Sequence, residues 1–200
     1  IYTSLTAIRQ TDLKRIIAYA SIAHMNLIML GIFSLNIQGI EGSLVQMISH
    51  GVVSSALFLC VGVLYDRFHT RLLKYYSGVV LVMPLFISLF LLFTFANAAL
   101  PGTCNFVGEF LLFAGIFQDN LFVAFFAATG IVLSAVYSLW LFNRISYGNL
   151  KELYAGSAFK DIDKREFHVL LPLVFLTIFL GVYPEVLLNK IHLINVLSNF

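Results

Sequence analysis

From Val79 to Phe117 the sequence is one apolar run whose only charged side chain within the run is Glu109. At about 1.5 Å per residue, a straight helix of that length would greatly overshoot a hydrocarbon core about 30 Å thick. The centre of the run reads A-L-P-G-T-C-N-F-V-G-E-F, Ala99 to Phe110. Pro101 removes a backbone donor and crowds the preceding turn, and Gly102 relaxes the backbone, so a helix should break at 101–105. Lipid cannot satisfy the polar groups that a break exposes, so it survives only where protein covers it or water reaches it. Two turns beyond stands a carboxyl, and an intramembrane carboxyl beside an interrupted helix is the usual mark of an ion path. A proline-kinked helix, or a loop between two helices with Glu109 near the surface, is the alternative reading of the same residues.

The rest of the chain belongs to the same solvent. Of the 200 residues 60% are hydrophobic and 11% charged, against about a quarter charged in soluble domains, which makes this an integral membrane protein. No alternating strand pattern argues for a barrel. No spacing suggests a metal or redox site, and no nucleotide loop, flavin fingerprint or haem ligand pair is legible. Cys60 and Cys104 both fall in apolar stretches and read as packed free thiols. The chain opens on Ile rather than Met, from which we expect a fragment, a processed chain or one half of a split gene.

The expected fold is all-α, with about five crossings including one discontinuous helix. The crossings are placed at 16–35, 43–65, 79–117 (broken at 101–105), 121–142 and 167–183. Ile1 to Ile8 reads as the tail of an earlier helix and N-I-Q-G-I-E-G, after the first crossing, as a short loop. A polar connector is expected at 143–166 and an apolar tail resting on the membrane or a neighbour at 184–200. His24 lies mid-depth in the first crossing. In the second, Gln46, His50 and Ser54 recur at four-residue spacing and form a polar stripe that must turn towards protein or water. Hydroxyls bonded to backbone and a satisfied core histidine would explain the stripe structurally. An imidazole that loads and unloads near neutral pH would explain it functionally.

Charge tests whether 79–117 crosses once or twice. With one crossing, 1–15, 66–77 and 143–166 share a side and hold every Lys and Arg except Lys190. With two, the basic 143–166 segment moves across and the asymmetry is lost. The positive-inside rule therefore favours one interrupted crossing, with the N-terminus inside and the C-terminus outside.

Four motifs carry a family resemblance. D-L-K-R-I-I-A-Y-A-S-I-A-H-M (Asp12 to Met25), M-I-S-H-G (Met47 to Gly51), L-Y-D-R (Leu64 to Arg67) and L-P-G-T-x-x-F-V-G-E-F (Leu100 to Phe110) resemble the antiporter-like subunits of proton-pumping NADH:ubiquinone oxidoreductase. The G-E-F ending and the L-N-I-Q-G-I-E-G loop set the chain apart from the subunit 5 type, whose corresponding position tends to be lysine. The resemblance implies the second inverted repeat plus the last helix of the fold, with a first repeat and its lysines lying upstream of Ile1. It implies a proton path through Glu109 and His50, with His24 close by, beside the break at Pro101 and Gly102. It implies no cofactor and no metal in this chain, with NAD and ubiquinone acting elsewhere in the complex. The implied partners are the other membrane-arm subunits, among them a chain supplying the upstream half, and lipids, with no nucleic acid. The implied place is the mitochondrial inner membrane, N-terminus on the matrix side and C-terminus on the intermembrane-space side. A multi-subunit cation/proton antiporter and a structural scaffold that has lost its pump half are the rival readings.

Overall fold

The computed structural model describes residues 1–149 and 160–198, and of 193–198 the backbone alone. Its helices are α1 Tyr2–Arg9, α2 Leu13–Phe33, α3 Ile37–Phe68, α4 Pro84–Asn97, α5 Cys104–Asp119, α6 Leu121–Ser146, α7 Lys164–Val182 and α8 Glu185–Ser198. Four of these, α2, α3, α6 and α7, are long and apolar enough to cross a membrane, and α4 is a shorter apolar helix. The expected all-α membrane architecture is what the chain has.

Each helix begins for a local reason. Asp12 caps α2 by accepting from the Lys14 amide at 3.1 Å. Asn36 caps α3 by accepting from the Gly39 amide at 2.7 Å, and Asn120 caps α6. Pro84 opens α4, where its missing N–H costs nothing. Asp163 and Glu166 close a capping box on α7.

The third apolar run begins as a 3-10 turn at Val79–Leu81 and becomes α-helix only at Pro84, and two boundaries nearer the site also differ from expectation. The stretch expected as a loop after α2 is almost all helix, because Asn36 caps it at once. Its glycines serve packing: Gly39 lies against Gly31 and Gly42 against the Leu112 backbone. The helix interruption spans 98–103 rather than 101–105. Ala99 takes a left-handed φ of 55°, the Leu100 amide donates to the Phe95 carbonyl at 3.1 Å, and the Ala99 amide donates to Ala96 at 3.1 Å. This pair of bonds ends α4 as a Schellman motif before Pro101 is reached, and Asn105 already lies in α5. Pro101 and Gly102 form the turn that follows, with Gly102 at φ 93°.

The two halves on either side run in one direction along α3. The amides of Leu85 and Phe86 at the start of α4 donate to the Asp161 carboxylate at 2.8 and 3.1 Å. The Asp161 carbonyl accepts from Arg67, at the end of α3. At the far end of α5, the Gly115 carbonyl accepts from Asn36, at the start of α3. So α4 and α5 together run antiparallel to α3 from its last turn to its first. The start of α2 joins the connector after α3 through Leu13 N–H to Arg71 and Leu73 N–H to Thr11. The end of α6 joins it through Gly78 N–H to Tyr147. A large apolar core packs α3, α4 and the ends of α2 and α6 around Phe86, Phe90, Phe93 and Leu64.

The expected 143–166 connector falls partly in 150–159 and the tail partly in 199–200, outside the described residues. Within the described part, α8 folds back so that His192 Nδ1 meets Glu41 Oε1 at 2.7 Å.

Candidate functional site

The contact between α3 and α5 sets the site. A Cβ on Gly108 would stand 2.8 Å from the Gln46 Cα, and one on Gly42 would stand 2.6 Å from the Leu112 amide nitrogen. Small residues here let the two backbones approach closely, as in other membrane helix pairs. That approach brings Gln46 Nε2 to Glu109 Oε1 at 3.3 Å. From α2, His24 Nδ1 reaches the same oxygen at 3.0 Å. The other His24 nitrogen, Nε2, stands 3.3 Å from the Tyr137 hydroxyl on α6.

His50 does not bond Glu109. Its Nε2 pairs with Ser21 Oγ at 2.8 Å, and its ring lies against that of His24 with centroids 5.2 Å apart. Glu109 and His50 are each 2% exposed and His24 3%. The site thus gathers one carboxyl, two imidazoles, a phenol and an amide side chain from four helices, α2, α3, α5 and α6, in the buried interior.

The bonding within the array is incomplete. Glu109 Oε2, Gln46 Oε1, His50 Nδ1, Ser49 Oγ and Asn105 Nδ2 are buried with no hydrogen bond among the described residues. Buried polar groups are nearly always paired, so five unpaired ones among the described residues set these side chains apart from ordinary packing. Among the described residues no Lys or Arg pairs with Glu109, and the His24 imidazole is the one basic group on it. Both His24 nitrogens stand at hydrogen-bond distance from groups that can exchange a hydrogen, the Glu109 carboxyl and the Tyr137 hydroxyl. A cavity of about 240 Å³ reaches His24 and Glu109 between α1, α2, α5 and α6, past Ser4, Asn26, Phe126 and Ser134. Among the described residues no three His, Cys, Asp or Glu side chains converge as a metal site requires.

The sequence profile of the NADH:quinone oxidoreductase/Mrp antiporter transmembrane family matches residues 1–134. The chain belongs to this family. Over 192 residues it is 58% identical to NADH-ubiquinone oxidoreductase chain 4 of Chondrus crispus, covering 96% of this chain and 39% of that one. It is 50% identical to NADH-quinone oxidoreductase subunit M of Rhodobacter capsulatus, covering 96% and 37%. The chain therefore spans about two fifths of the length of the curated relatives it matches. Among solved structures it superposes on a chain of respiratory complex I from Thermus thermophilus with bound NADH at a TM-score of 0.88 and 31% identity, covering 96% and 40%. It superposes on a chain of the Mrp complex from Dietzia sp. DQ12-45-1b at 0.83 and 19% identity, covering 94% and 43%, a likeness of fold alone. The family resemblance carried by the motifs is thus sound.

Within this family member the sequence-predicted residues fall at two places. His24, His50 and Glu109 converge, whereas Pro101 and Gly102 sit in the turn between α4 and α5. Gln46 was visible as part of the polar stripe. Tyr137 does not stand out in the sequence, because a lone Tyr in an apolar run carries no periodic signal; its meeting with His24 is a fact of helix packing.

Proposed function

We propose that this chain is the C-terminal portion of a proton-translocating membrane subunit of NADH:quinone oxidoreductase. The carrying observation is the buried 3.0 Å contact of His24 Nδ1 with Glu109 Oε1 beside an interrupted helix. Glu109 and His24 act as one acid–base pair, and His50 is the next base, a ring's width away. In the loaded pair the proton sits on Glu109 or on His24 Nδ1. Transfer costs little, because the two heavy atoms already stand at hydrogen-bond distance. Two imidazoles with ring centroids 5.2 Å apart do not both charge readily when buried, so loading His50 favours unloading His24. Charge arriving from a neighbouring subunit shifts this balance and moves the proton on, so coupling is electrostatic.

The chain itself supplies no redox centre in this reading. NAD and ubiquinone act elsewhere in the complex, and the chain contributes to an oxidoreductase as its translocating part. Its partners are other membrane-arm subunits, a segment or chain equivalent to the upstream half of the relatives, and lipids around the exposed Phe117, Phe122, Phe125 and Phe175. It lies in the mitochondrial inner membrane, its basic end facing the matrix. That orientation rests on the gathering of every described Lys and Arg except Lys190 in segments that meet at one end.

The test is Glu109→Gln in membranes carrying the assembled complex. Proton pumping and coupled NADH oxidation should fall at least about tenfold while assembly on native gels is unchanged. Normal pumping at normal assembly would remove Glu109 from the path. Proton flux that needs sodium and no quinone would instead favour the antiporter reading.

A further inference from the structure

The start of α2 and the connector after α3 meet at the basic end of the molecule. The Leu13 amide donates to the Arg71 carbonyl at 2.9 Å, and the Leu73 amide donates to the Thr11 carbonyl at 2.8 Å. These two bonds hold Lys14 and Arg71 on facing segments, and both residues line one cleft of about 430 Å³. The rest of its lining comes from α3, through Phe58, Val61, Gly62 and Tyr65. A Cβ on Gly62 would meet no atom within 4 Å, so the glycine leaves a trench open on that face of the helix. The Arg71 guanidinium lies over the Tyr65 ring, 4.7 Å from its centroid.

The two cations are not spent within the described protein. Arg67 gives its charge to Glu166, whereas among the described residues neither Lys14 nor Arg71 forms an ion pair with a carboxylate. The nearby Asp12 carboxylate accepts from the Lys14 backbone amide, and Asp66 is exposed beside Tyr65. Two unpaired cations and a tyrosine thus stand at the end of an apolar trench, on a helix long enough to cross the membrane. That order, charge at the interface and an apolar wall beyond it, fits a phospholipid, which carries its phosphate at the interface and its hydrocarbon beyond. A free anion has no use for the trench, and an apolar partner helix has none for two cations.

We propose that the cleft binds one anionic phospholipid. Its phosphate lies between the Lys14 ammonium and the Arg71 guanidinium, whose planar fork suits phosphate oxygens. The Tyr65 ring holds that guanidinium in place through its face. One acyl chain lies along Phe58, Val61 and Gly62. The lipid thereby ties the start of α2 to the connector after α3. The site needs only the membrane placement of the chain and is independent of the proton path through Glu109.

The test uses the assembled complex in phosphatidylcholine vesicles that also carry a photoactivatable phosphatidylglycerol, its reactive group on an acyl chain. Light should label the α3 peptide that holds Phe58 to Tyr65. Unlabelled phosphatidylglycerol should compete, whereas added phosphatidylcholine or inorganic phosphate should not. Lys14→Gln and Arg71→Gln should each lower the labelling about fivefold, as expected for one basic side chain at an anionic lipid surface. Gly62→Leu should abolish it by filling the trench while both cations remain. Lys74→Gln, outside the cleft, should leave it unchanged. Should the charge variants fail to assemble, the wild-type complex decides: labelling of this peptide falls as salt is raised, because exposed charges are screened. Each of four results would overturn the proposal. An unlabelled peptide means that a neighbouring protein segment covers the cleft. Equal competition by phosphatidylcholine means an acyl groove without headgroup recognition. Competition by inorganic phosphate means a free-anion site. Labelling indifferent to salt and to both charge variants means that the cations take no part.

Discussion

His24 and His50 are one residue type in two different settings. His24 has both nitrogens engaged, with Glu109 and with Tyr137, whereas His50 holds Ser21 and keeps Nδ1 unpartnered. A group that touches the carboxyl should matter more than one that approaches it through another ring. His24→Ala is therefore expected to lower pumped protons per NADH oxidised at least about tenfold. His50→Ala should lower the ratio by a smaller factor, because the Glu109–His24 contact survives it. Equal losses, measured in one vesicle preparation at matched assembly, would show that the two rings act as a unit instead. The sequence makes His50 the more prominent of the pair, since it belongs to a stripe with Gln46 and Ser54 at helical spacing. The polar neighbours of His24 on its own helix, Ser21 and Asn26, make no repeating stripe. The importance of His24 lies in a contact between α2 and α5, and no periodicity within one helix encodes that.

The interrupted element has a fixed start and a fixed end. At its start, Asp161 accepts from two α4 amides, and Arg67 holds Asp161 in place through its carbonyl. Arg67 also pairs with both Glu166 oxygens at 3.0 and 2.7 Å and donates to the Lys160 carbonyl at 3.1 Å. One guanidinium thus ties α3, the segment before α7, and through Asp161 the first turn of α4. Nearby, burial raises the Tyr76 phenol above its ordinary value, and it stays a neutral donor to the Thr70 carbonyl at 2.6 Å. Arg67→Ala leaves Glu166 half-buried without its cation, at a cost of about 1–3 kcal/mol. The expected result is a lower melting temperature of the assembled complex and earlier proteolysis near residue 160, with Arg67→Lys in between, since an ammonium cannot make the forked contact. An unchanged melting profile would show that the clamp is not needed. The Pro-Gly pair pointed to an interruption, and the structure has one nearby. Its edges were not legible, because α4 is ended by bonds of Ala99 and Leu100, and alanine carries no turn signal. The stretch after α2 was misjudged for the converse reason: its glycines look like loop residues, yet they are there to let α3 pack on α2 and α5.

At the scale of the whole chain, charge and connectivity make one claim. The segments holding Lys14, Arg67, Arg71, Lys74, Arg144 and Lys164 meet at one end, and Ser34 to Asn36, Asn120 and the turn at Tyr183 lie at the other. The sequence points to the same grouping of basic segments, because the positive-inside count disfavours two crossings for 79–117. The count depends on α4 and α5 making one crossing between them, and that dependence can be tested directly. Cys60 and Cys104 are buried, so single cysteines placed elsewhere are the ones that react with a membrane-impermeant maleimide. Lys74→Cys and Gly148→Cys flank the interrupted pair and α6, and both should label only when the matrix-side face of oriented vesicles is exposed. Gln38→Cys and Asp119→Cys should label only from the opposite face. If α4 and α5 each crossed the membrane, Lys74 and Gly148 would label from opposite faces, and Glu109 would lie on a full helix of its own. Labelling of both from one face leaves Glu109 in the second half of an interrupted crossing. There, in the proposed path, its proton can pass to the His24 ring, which bonds Tyr137 and lies against His50, or to the cavity beside α1 and α6.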